Sequence, residues 1–518
     1  MREVKVNVYV QVEDMDMIND SKNPSPAHLL DPSPEQIRSW ANAAVELMAE
    51  YLGTIRNRRV YPYTSSRQIR ERLDSSLPKE PVNFDELLHT FRSTLIELSR
   101  HNGHPRMFGY VQAPGTAIAA FADLLSSTLN ANLTAWRSAP AAVEIERLTI
   151  DWIKQIIGFD RDAAGLFVSG GSMANMAALA AARRAKAPPE IQNKGAQSCA
   201  KALRVYASEE THHTVAKAAA LLGIGHDNVR LISVDERYKI NLHELVAAIE
   251  EDRTAGHLPI CVVANAGTVA TGAFDPLSQI GEIARRFNLW LHVDGAYGGF
   301  AALAPSARPL FASIGEADSV ALDPHKWLYL PVDCGCILYR DPEAARATFA
   351  HEAEYTRVIG QEADEAFAFW DYGPELSRRF RALKVWMLLK GVGLQALSEA
   401  IEKDLACARH FETLVQNSED FEMLAPVELS IFCSRHLPAG LKRALAAASP
   451  SVREKIEEQL DAHNERLLLA LQRDGSSYLS NARLRGRFSL RGCVMNYRTT
   501  LRDMEILLDD LRRVAARL

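Results

Sequence analysis

Between about residues 163 and 340, short apolar runs alternate with stretches in which apolar residues recur at helical spacing. The apolar runs predict strands, and the stretches between them predict helices. Strands are predicted at 165–168, 203–207, 229–232, 260–264, 289–293, 319–322 and 335–339, and helices at about 172–186, 212–222, 242–251 and 276–286. This alternation is typical of an α/β domain with a mostly parallel sheet and right-handed crossovers.

The pattern changes on both sides of this region. Upstream, valines alternate with polar residues at 4–12, and two helical stretches follow, the first capped by Ser33 and the second at about 84–99. Downstream of a helical link at about 377–413, strand-like and helical stretches alternate to the end of the chain. We therefore predict three units, namely an N-terminal segment and helical arm at 1–110, a large α/β domain at 111–414 and a small α+β C-terminal domain at 415–518.

Composition narrows the class of protein without naming a function. The 518 residues are 47% hydrophobic and 24% charged, as in ordinary globular proteins, and the net charge of −6 gives no reason to expect nucleic acid as a partner. No apolar stretch reaches the roughly 18 residues of a membrane span, and the first 20 residues lack the features of a signal peptide. Seven scattered cysteines without metal-ligand spacing favour a reduced, cytoplasmic protein with no bound metal.

Two features at predicted strand ends suggest a bound ligand, although each has a simpler interpretation. The Ser-Gly-Gly-Ser run at 169–172 lies between a strand and an alanine-rich helix, where backbone N–H groups can meet an anion. It is equally typical of a tight connection. His212 and His213 follow the next strand, and a flat imidazole there could stack on an aromatic cofactor or simply be a polar surface residue.

The loop at 101–115 is dense in glycine, proline, histidine and aromatic residues. Loops of this composition often carry function, but a packed turn explains the pattern as well as a substrate pocket does.

Asp294 and Lys326, together with the features above, indicate a single bound cofactor. Asp294 ends the most apolar predicted strand, where a buried carboxylate needs a partner such as a pyridinium N–H. Lys326 follows the next apolar run, in the Asp-Pro-His-Lys-Trp sequence at 323–327, which is a poor place for a lysine whose amine is unused. Because ligands gather at the carboxyl ends of parallel strands, we predict that pyridoxal phosphate is bound there as a Schiff base with Lys326. Asp275, which precedes a predicted helix, is interpreted as a helix cap.

Three runs carry a resemblance to a known family. They are Asp-Pro-His-Lys-Trp at 323–327, His-Val-Asp-Gly-Ala-Tyr-Gly-Gly at 292–299 and His-Pro-Arg-Met-Phe-Gly-Tyr at 104–110. They resemble the group II pyridoxal-phosphate-dependent amino-acid decarboxylases, which include aromatic-L-amino-acid, tyrosine, histidine and glutamate decarboxylases. The resemblance extends from about residue 30 to the end of the chain. It implies a PLP-dependent transferase of fold type I, and a homodimer with active sites at the subunit interface.

The resemblance also implies roles for individual residues. Lys326 matches the Schiff-base lysine, Asp294 the partner of the pyridine nitrogen and His212 the stacking, catalytic histidine. The other matches to the cofactor site are Gly171 and Ser172 at the phosphate, His325 beside it, Thr268 along the site, Ala296 against the ring, and Ser377 where the partner subunit reaches the phosphate.

Tyr355 lies in a charged stretch that resembles the family's catalytic loop. In the decarboxylases, a tyrosine there reprotonates the carbon left by CO2, whereas related aldehyde synthases usually have phenylalanine. Tyr355 therefore favours simple decarboxylation.

The residues around the substrate leave its identity open. Tyr110, Ala113 and Trp136 are the predicted substrate contacts. Positions that carry aromatic side chains in the aromatic decarboxylases match smaller or more polar residues here, namely Asn102, Val111, Ala113, Asn132 and Thr134. An aromatic L-amino acid is expected on family grounds, and an acidic or other polar amino acid is the alternative. Coupled oxidative deamination, and a PLP-binding protein without turnover, are the further alternatives.

Overall fold

The structure is a computed structural model that describes residues 30–73, 76–351 and 366–518. The alternating valines at 4–12 and Tyr355 lie outside these residues. A seven-stranded sheet has the strand order β1-β7-β6-β5-β4-β2-β3. Its strands are β1 Ala164–Val168, β2 Leu203–Ser208, β3 Val229–Ile232, β4 Leu258–Asn265, β5 Trp290–Gly295, β6 Ser319–Leu322 and β7 Gly335–Tyr339.

The predicted mostly parallel sheet is confirmed. Strands β3, β2, β4, β5 and β6 pair in parallel, and only β7 runs against its two neighbours. Strand β5 is buried along its whole length, as expected for a central strand covered on both faces by helices. This burial explains why the residues that precede Asp294 in the strand are apolar, except for His292.

Helices precede this sheet and connect its strands. The first helix begins as predicted, because Ser33 and Gln36 form a reciprocal capping box. The second predicted helix, at about 84–99, is instead a short α-helix that continues into a π-helical stretch at Phe91–Ile96. The helices of this part of the chain are α1 Pro34–Thr54, α2 Ser66–Arg72, α3 Phe84–Thr90, α4 Ala117–Leu129, α5 Pro140–Ile157, α6 Gly171–Lys186, α7 Ile191–Lys194, α8 Thr214–Leu221, α9 Leu242–Thr254, α10 Leu277–Phe287, α11 Pro324–Trp327 and α12 Pro342–Phe349.

A second, antiparallel sheet lies in the C-terminal part, with strand order β10-β11-β9-β8. Sequence patterns missed β8, β10 and α15, and the predicted helical link begins at 382 rather than 377. The remaining elements are α13 Ala382–Val392, α14 Leu394–Gln416, β8 Phe421–Met423, β9 Ile431–His436, α15 Ala439–Ala447, α16 Pro450–Asp474, β10 Ser480–Leu484, β11 Arg487–Cys493 and α17 Leu501–Ala515. None of the helices within the described residues is long and apolar enough to cross a membrane.

The loop at 101–115 is held against the C-terminal part. Phe108 packs in the same apolar cluster as residues of α14 and β9. The side-chain amide of Asn496 donates to the carbonyl of His104 at 2.9 Å, and the Thr499 hydroxyl donates to the carbonyl of Pro105 at 2.7 Å. The predicted domain boundaries, at 110 and 414, stay predictions.

A fully buried ion pair joins the first strand to the chain after residue 366. The side chains of Arg378 and Glu146 are both 0% exposed and hydrogen-bonded to each other. Arg378 also donates to the carbonyls of Leu133 and Phe167, each at 2.9 Å. The N–H of Phe167 in turn donates to Glu146 at 3.0 Å. The pair therefore fixes β1 just before the glycine run at 169–172.

Removing one partner of this pair is expected to be strongly destabilising. Glu146→Ala leaves the buried guanidinium without its charge partner and should cost about 3 to 5 kcal/mol. As a control, Arg285→Ala breaks the pair with Glu316, whose side chains are 60% and 37% exposed, and should cost less than about 1 kcal/mol. Urea denaturation of both variants measures the difference. Similar losses in the two variants would contradict the structural role assigned to Glu146.

Candidate active site

A cavity of about 1040 Å³ opens at the carboxyl ends of β4, β5 and β6. It brings together most of the residues that the sequence assigned to the site. Those that line it are Tyr110, Gly171, Ser172, His212, Asp294, Ala296, His325 and Lys326.

Of the predicted site residues within the described part of the chain, four do not line this cavity. Thr268 lies between two lining residues, but its buried hydroxyl is bonded to that of Thr271 at 3.0 Å. Ala113 packs against the main core. The Trp136 indole donates to Glu144 at 3.0 Å, and Ser377 lines a separate depression beside α4. A single chain therefore does not bring Trp136 or Ser377 to Lys326.

The glycine run forms a close-fitting cradle at the start of α6. A Cβ atom on Gly171 would lie 2.9 Å from Cβ of Ala296 and 3.0 Å from Oδ2 of Asp323. A Cβ on Gly335, in β7, would lie 2.4 Å from Cα of Gly170. A Cβ atom is therefore excluded at Gly171 and Gly335, and the first residues of α6, Gly171 and Ser172, line the cavity with the N-terminal end of the helix. That arrangement fits the phosphate of pyridoxal phosphate.

Lys326 lies at the other side of the cradle and is held by its neighbours. Its Nζ is 2.8 Å from Oδ2 of Asp323, whose other carboxylate oxygen is buried and has no hydrogen-bond partner among the described residues. Next to the lysine, the Trp327 indole and the Tyr329 hydroxyl both donate to Oδ2 of Asp404, at 3.1 and 2.7 Å. Burial raises the pKa of Asp404 to about 7. A carboxylate of α14 thus holds Trp327, the residue that follows the lysine.

Asp294 is buried at the end of β5 and only partly satisfied. Its Oδ2 accepts from the side-chain amide of Asn175 at 2.9 Å, and its Oδ1 accepts from the N–H of Ala296 at 3.1 Å. A carboxylate offers about four acceptor positions, so capacity remains for a donor in the cavity. A pyridinium N–H is a donor of this kind.

The interpretation of Asp275 as a helix cap is wrong. Helix α10 begins after Pro276 without a side-chain cap. The Asp275 carboxylate instead accepts from the N–H of Ile240 at 2.9 Å and from both nitrogens of Asn265 at 2.8 Å. These bonds hold the end of β4 in place. A fully buried carboxylate needs hydrogen-bond donors, and here Ile240 and Asn265 provide them.

His212 precedes α8, which begins at Thr214 rather than at the histidine. Its Nδ1 lies 2.8 Å from the Thr214 hydroxyl. Burial lowers the pKa of His212, despite the nearby Asp294 carboxylate, so the ring is neutral at physiological pH. The imidazole is therefore neither a free surface group nor an ion-pair partner.

Sequence reasoning missed four residues that support the site, two of which, Asn175 and Thr214, also line the cavity. Asn175, Thr214, Asp404 and His292 hold the predicted residues in place, and all are buried. A signal was present for Asn175, a lone amide in an alanine-rich helix. Nothing local marks Asp404, because its partners are 75 and 77 residues away along the chain.

The model of the pyridoxal-dependent decarboxylase conserved domain matches residues 66–436. Aromatic-L-amino-acid decarboxylase of Bacillus atrophaeus is 34% identical over 93% of this chain and 96% of its own length. Tryptophan decarboxylase 1 of Oryza sativa subsp. japonica is 30% identical over 89% of this chain and 90% of its own.

Solved structures agree with this match. Oryza sativa TDC with PLP and tryptamine superposes with a TM-score of 0.85 and 28% identity, covering 94% of this chain and 99% of that one. Mouse CSAD superposes with a TM-score of 0.86 and 26% identity, covering 94% of this chain and 100% of that one. The chain belongs to the pyridoxal-dependent decarboxylase family. It is a carboxy-lyase of fold type I that uses pyridoxal 5'-phosphate, as its sequence predicted.

The buried histidine behind Asp294 should make stability depend on pH. Burial lowers the pKa of His292 to about 4, below the value of about 6.5 in an unfolded chain. Between these values the unfolded chain binds more protons, so stability is lost as the pH falls from 6.5 through 4. The non-titrating variant His292→Gln should lose less over this range, by on the order of 2 kcal/mol. Urea midpoints of both proteins from pH 7 to 4.5 measure the difference, and parallel curves would contradict it.

Proposed function

We propose that this chain decarboxylates an aromatic L-amino acid to the corresponding amine and CO2. The observation that carries the proposal is the meeting of Lys326, Asp294 and His212 in one cavity beside the glycine cradle of α6. The choice of an aromatic substrate is supported by the relatives, which are named as aromatic-L-amino-acid, tryptophan and tyrosine decarboxylases. Tyr110 supplies an aromatic wall to the cavity.

We assign two kinds of role to the residues of the site, namely binding of the cofactor and substrate, and transfer of a proton. When bound, pyridoxal phosphate supplies an electron sink for the pair left as CO2 departs. The α6 N-terminus and Ser172 would hold its phosphate, Asp294 would keep its ring nitrogen protonated, and the ε-amine of Lys326 would attach it to the chain. His212, which lines the same cavity, would pack against the cofactor ring and help to orient the substrate carboxylate.

Tyr355 is the proposed proton donor to the α-carbon. A phenol is an acid that can deliver a proton there, and phenylalanine is not. This residue therefore favours amine formation over the aldehyde chemistry named in relatives such as phenylacetaldehyde synthase of Petunia hybrida, which is 29% identical.

We further infer that two copies of the chain form the working enzyme. The arm and α4 expose large apolar side chains, namely Trp40, Leu87, Phe91, Phe121, Leu124, Leu125 and Leu129. Contiguous exposed apolar residues are typical of subunit interfaces. A second copy would also account for Ser377, which is predicted to reach the phosphate of the partner's site. A cytoplasmic location stays a prediction.

A substrate panel tests the proposed reaction. Standard L-amino acids, L-DOPA and 5-hydroxytryptophan are incubated with the holoenzyme, and CO2, amine, aldehyde, ammonia and peroxide are measured. We expect one aromatic amino acid to give CO2 and amine in equal amounts, and Lys326→Ala to give neither. Aldehyde with ammonia and peroxide would assign the aldehyde-synthase reaction instead. Bound cofactor without CO2 from any substrate would refute decarboxylation.

An acidic substrate is the second candidate, because of Arg100. Its guanidinium lies on the cavity wall, 4.7 Å from the ring centroid of Tyr110 and 5.3 Å from that of Tyr478. It donates to the side-chain oxygens of Gln112 and Asn102, at 2.9 and 3.3 Å. Within 30–73, 76–351 and 366–518, no carboxylate lies at ion-pair distance from it. A cation with neutral partners favours an anionic group in the cavity.

Arg100→Gln separates the two candidates. If the substrate is acidic, the variant should raise its KM by about tenfold or more, because a charged hydrogen bond is lost. If the substrate is aromatic, KM should change little. Arg483→Gln is the control, since Arg483 also lines the cavity but pairs with Asp461 at 2.7 Å. An enzyme that decarboxylates no acidic amino acid would eliminate this second candidate.

A further inference from the structure

A chain of buried hydrogen bonds runs behind β5 and ends at Asn175. The Trp290 indole donates to the Ser319 hydroxyl at 2.8 Å, and that hydroxyl lies 2.9 Å from Nδ1 of His292. Nε2 of His292 lies 2.9 Å from Oδ1 of Asn175. None of these four side chains belongs to a residue more than 4% exposed. The directions of the bonds are therefore set by the chain itself and not by water.

The two ends of the network decide where each proton lies. The indole N–H can only donate and the Asp294 carboxylate can only accept. The Asn175 amide therefore turns its nitrogen toward Asp294, at 2.9 Å, and its oxygen toward His292. His292 must then carry its proton on Nε2, and its Nδ1 accepts from Ser319. For a neutral His292 ring, the acceptor at Asp294 thus sets the direction of the bonds from Asn175 to Ser319.

The same amide also controls a second branch. Its other N–H donates to the Thr214 hydroxyl at 3.1 Å. Since that hydroxyl already accepts a hydrogen bond from Asn175, its own proton is available for Nδ1 of His212, which lies 2.8 Å away. The N–H of Thr214 also points to this nitrogen, at 3.4 Å. Nδ1 of His212 is therefore an acceptor.

We propose that Asn175 is a positioning residue that fixes the tautomer of His212 through Thr214, with the proton on Nε2. Nδ1 is occupied by Thr214, so Nε2 is the ring nitrogen available to the cavity that His212 lines. It presents a hydrogen-bond donor there. One side chain thus orients both Asp294 and His212. That the donor meets the substrate rests on the proposed function, whereas the tautomer does not.

The lowered pKa of His212 agrees with a neutral ring, for which a single tautomer can be defined. The charged groups that act on this ring are Asp294, Asp323 and Lys326, and His213 lies beside it with ring centroids 4.2 Å apart. A simpler role for Asn175 would be to fill space between α6 and β5. That role predicts no effect of Thr214 on the protons of His212.

Two variants of Thr214 test the proposal in the holoenzyme. Thr214→Val keeps the branched shape but removes the hydroxyl, and Thr214→Ser keeps the hydroxyl. Nitrogen-15 spectra of labelled histidines give the protonated nitrogen, and the His212 signals are identified by their loss in His212→Gln. We expect the proton on Nε2 in the wild type and in Thr214→Ser, and a mixture of tautomers in Thr214→Val.

Cofactor affinity gives a second measurement. Thr214→Val leaves the bond between Asn175 and Asp294 in place, so the dissociation constant of pyridoxal phosphate should change little. Asn175→Ala removes that bond and should weaken binding by about tenfold, because a buried carboxylate loses its donor.

Several results would overturn the proposal. They are a proton on Nδ1 in the wild type, an Nε2 proton retained in Thr214→Val, and equal cofactor affinity in Asn175→Ala and the wild type. If Thr214→Val does not fold, the wild-type nitrogen-15 spectrum and the cofactor affinity of Asn175→Ala still test the proposal. Failure of the substrate panel would refute the proposed function, but it would leave these spectra unchanged.

Discussion

The carboxylate of Asp294 is the constraint on which the rest of the site depends. Burying an unpaired charge costs several kcal/mol, so a carboxylate at the end of a fully covered strand requires donors on every side. Asn175 and Ala296 provide two of them, and the cavity is the direction left for a third. Asn175 comes from α6, the helix whose first residues form the glycine cradle. The charge at one end of the cofactor site and the anion cradle at the other are therefore held by a single helix.

A second buried carboxylate connects the cofactor lysine with the substrate wall. Asp404 accepts from Trp327 and Tyr329 on one side and from the backbone N–H of Asn496 on the other. Asn496 also binds the carbonyl of His104, in the loop that leads to Tyr110. Since Asn496 is bonded both to Asp404 and to His104, displacement of the C-terminal part would move the residues next to the lysine and the pocket loop together. The C-terminal part thus supports the site, although the proposed reacting groups, Lys326, Asp294 and His212, belong to the large α/β part.

The sequence allowed the central sheet and the groups that react to be predicted, but not the groups that support them. Residues such as Lys326 and Asp294 stand out because they are polar at the ends of apolar runs, which is a local signal. Asn175 and Asp404 act through partners far away along the chain, so no spacing rule finds them. Strand β10 was missed for a related reason, because Ser480, Asn481 and Arg483 interrupt its apolar pattern. These polar residues line the cavity instead of a core.

Among the residues that the structure describes, three arginines line the cavity, and their partners differ in a way that bears on substrate choice. Arg491 is buried, and its donors are used by the carbonyls of Val269, Ala270 and Tyr110 and by the Ser480 hydroxyl, so it fastens β11 to the wall. Arg483 is paired with Asp461. Arg100 is bound to neutral groups alone among the described residues, so its charge remains available to a ligand. Because none of the three touches Asp294 or Lys326, this wall can change without disturbing the cofactor. The residues of this wall are thus separate from those at the cofactor, which is why the fold and the cofactor follow from the sequence more readily than the substrate does.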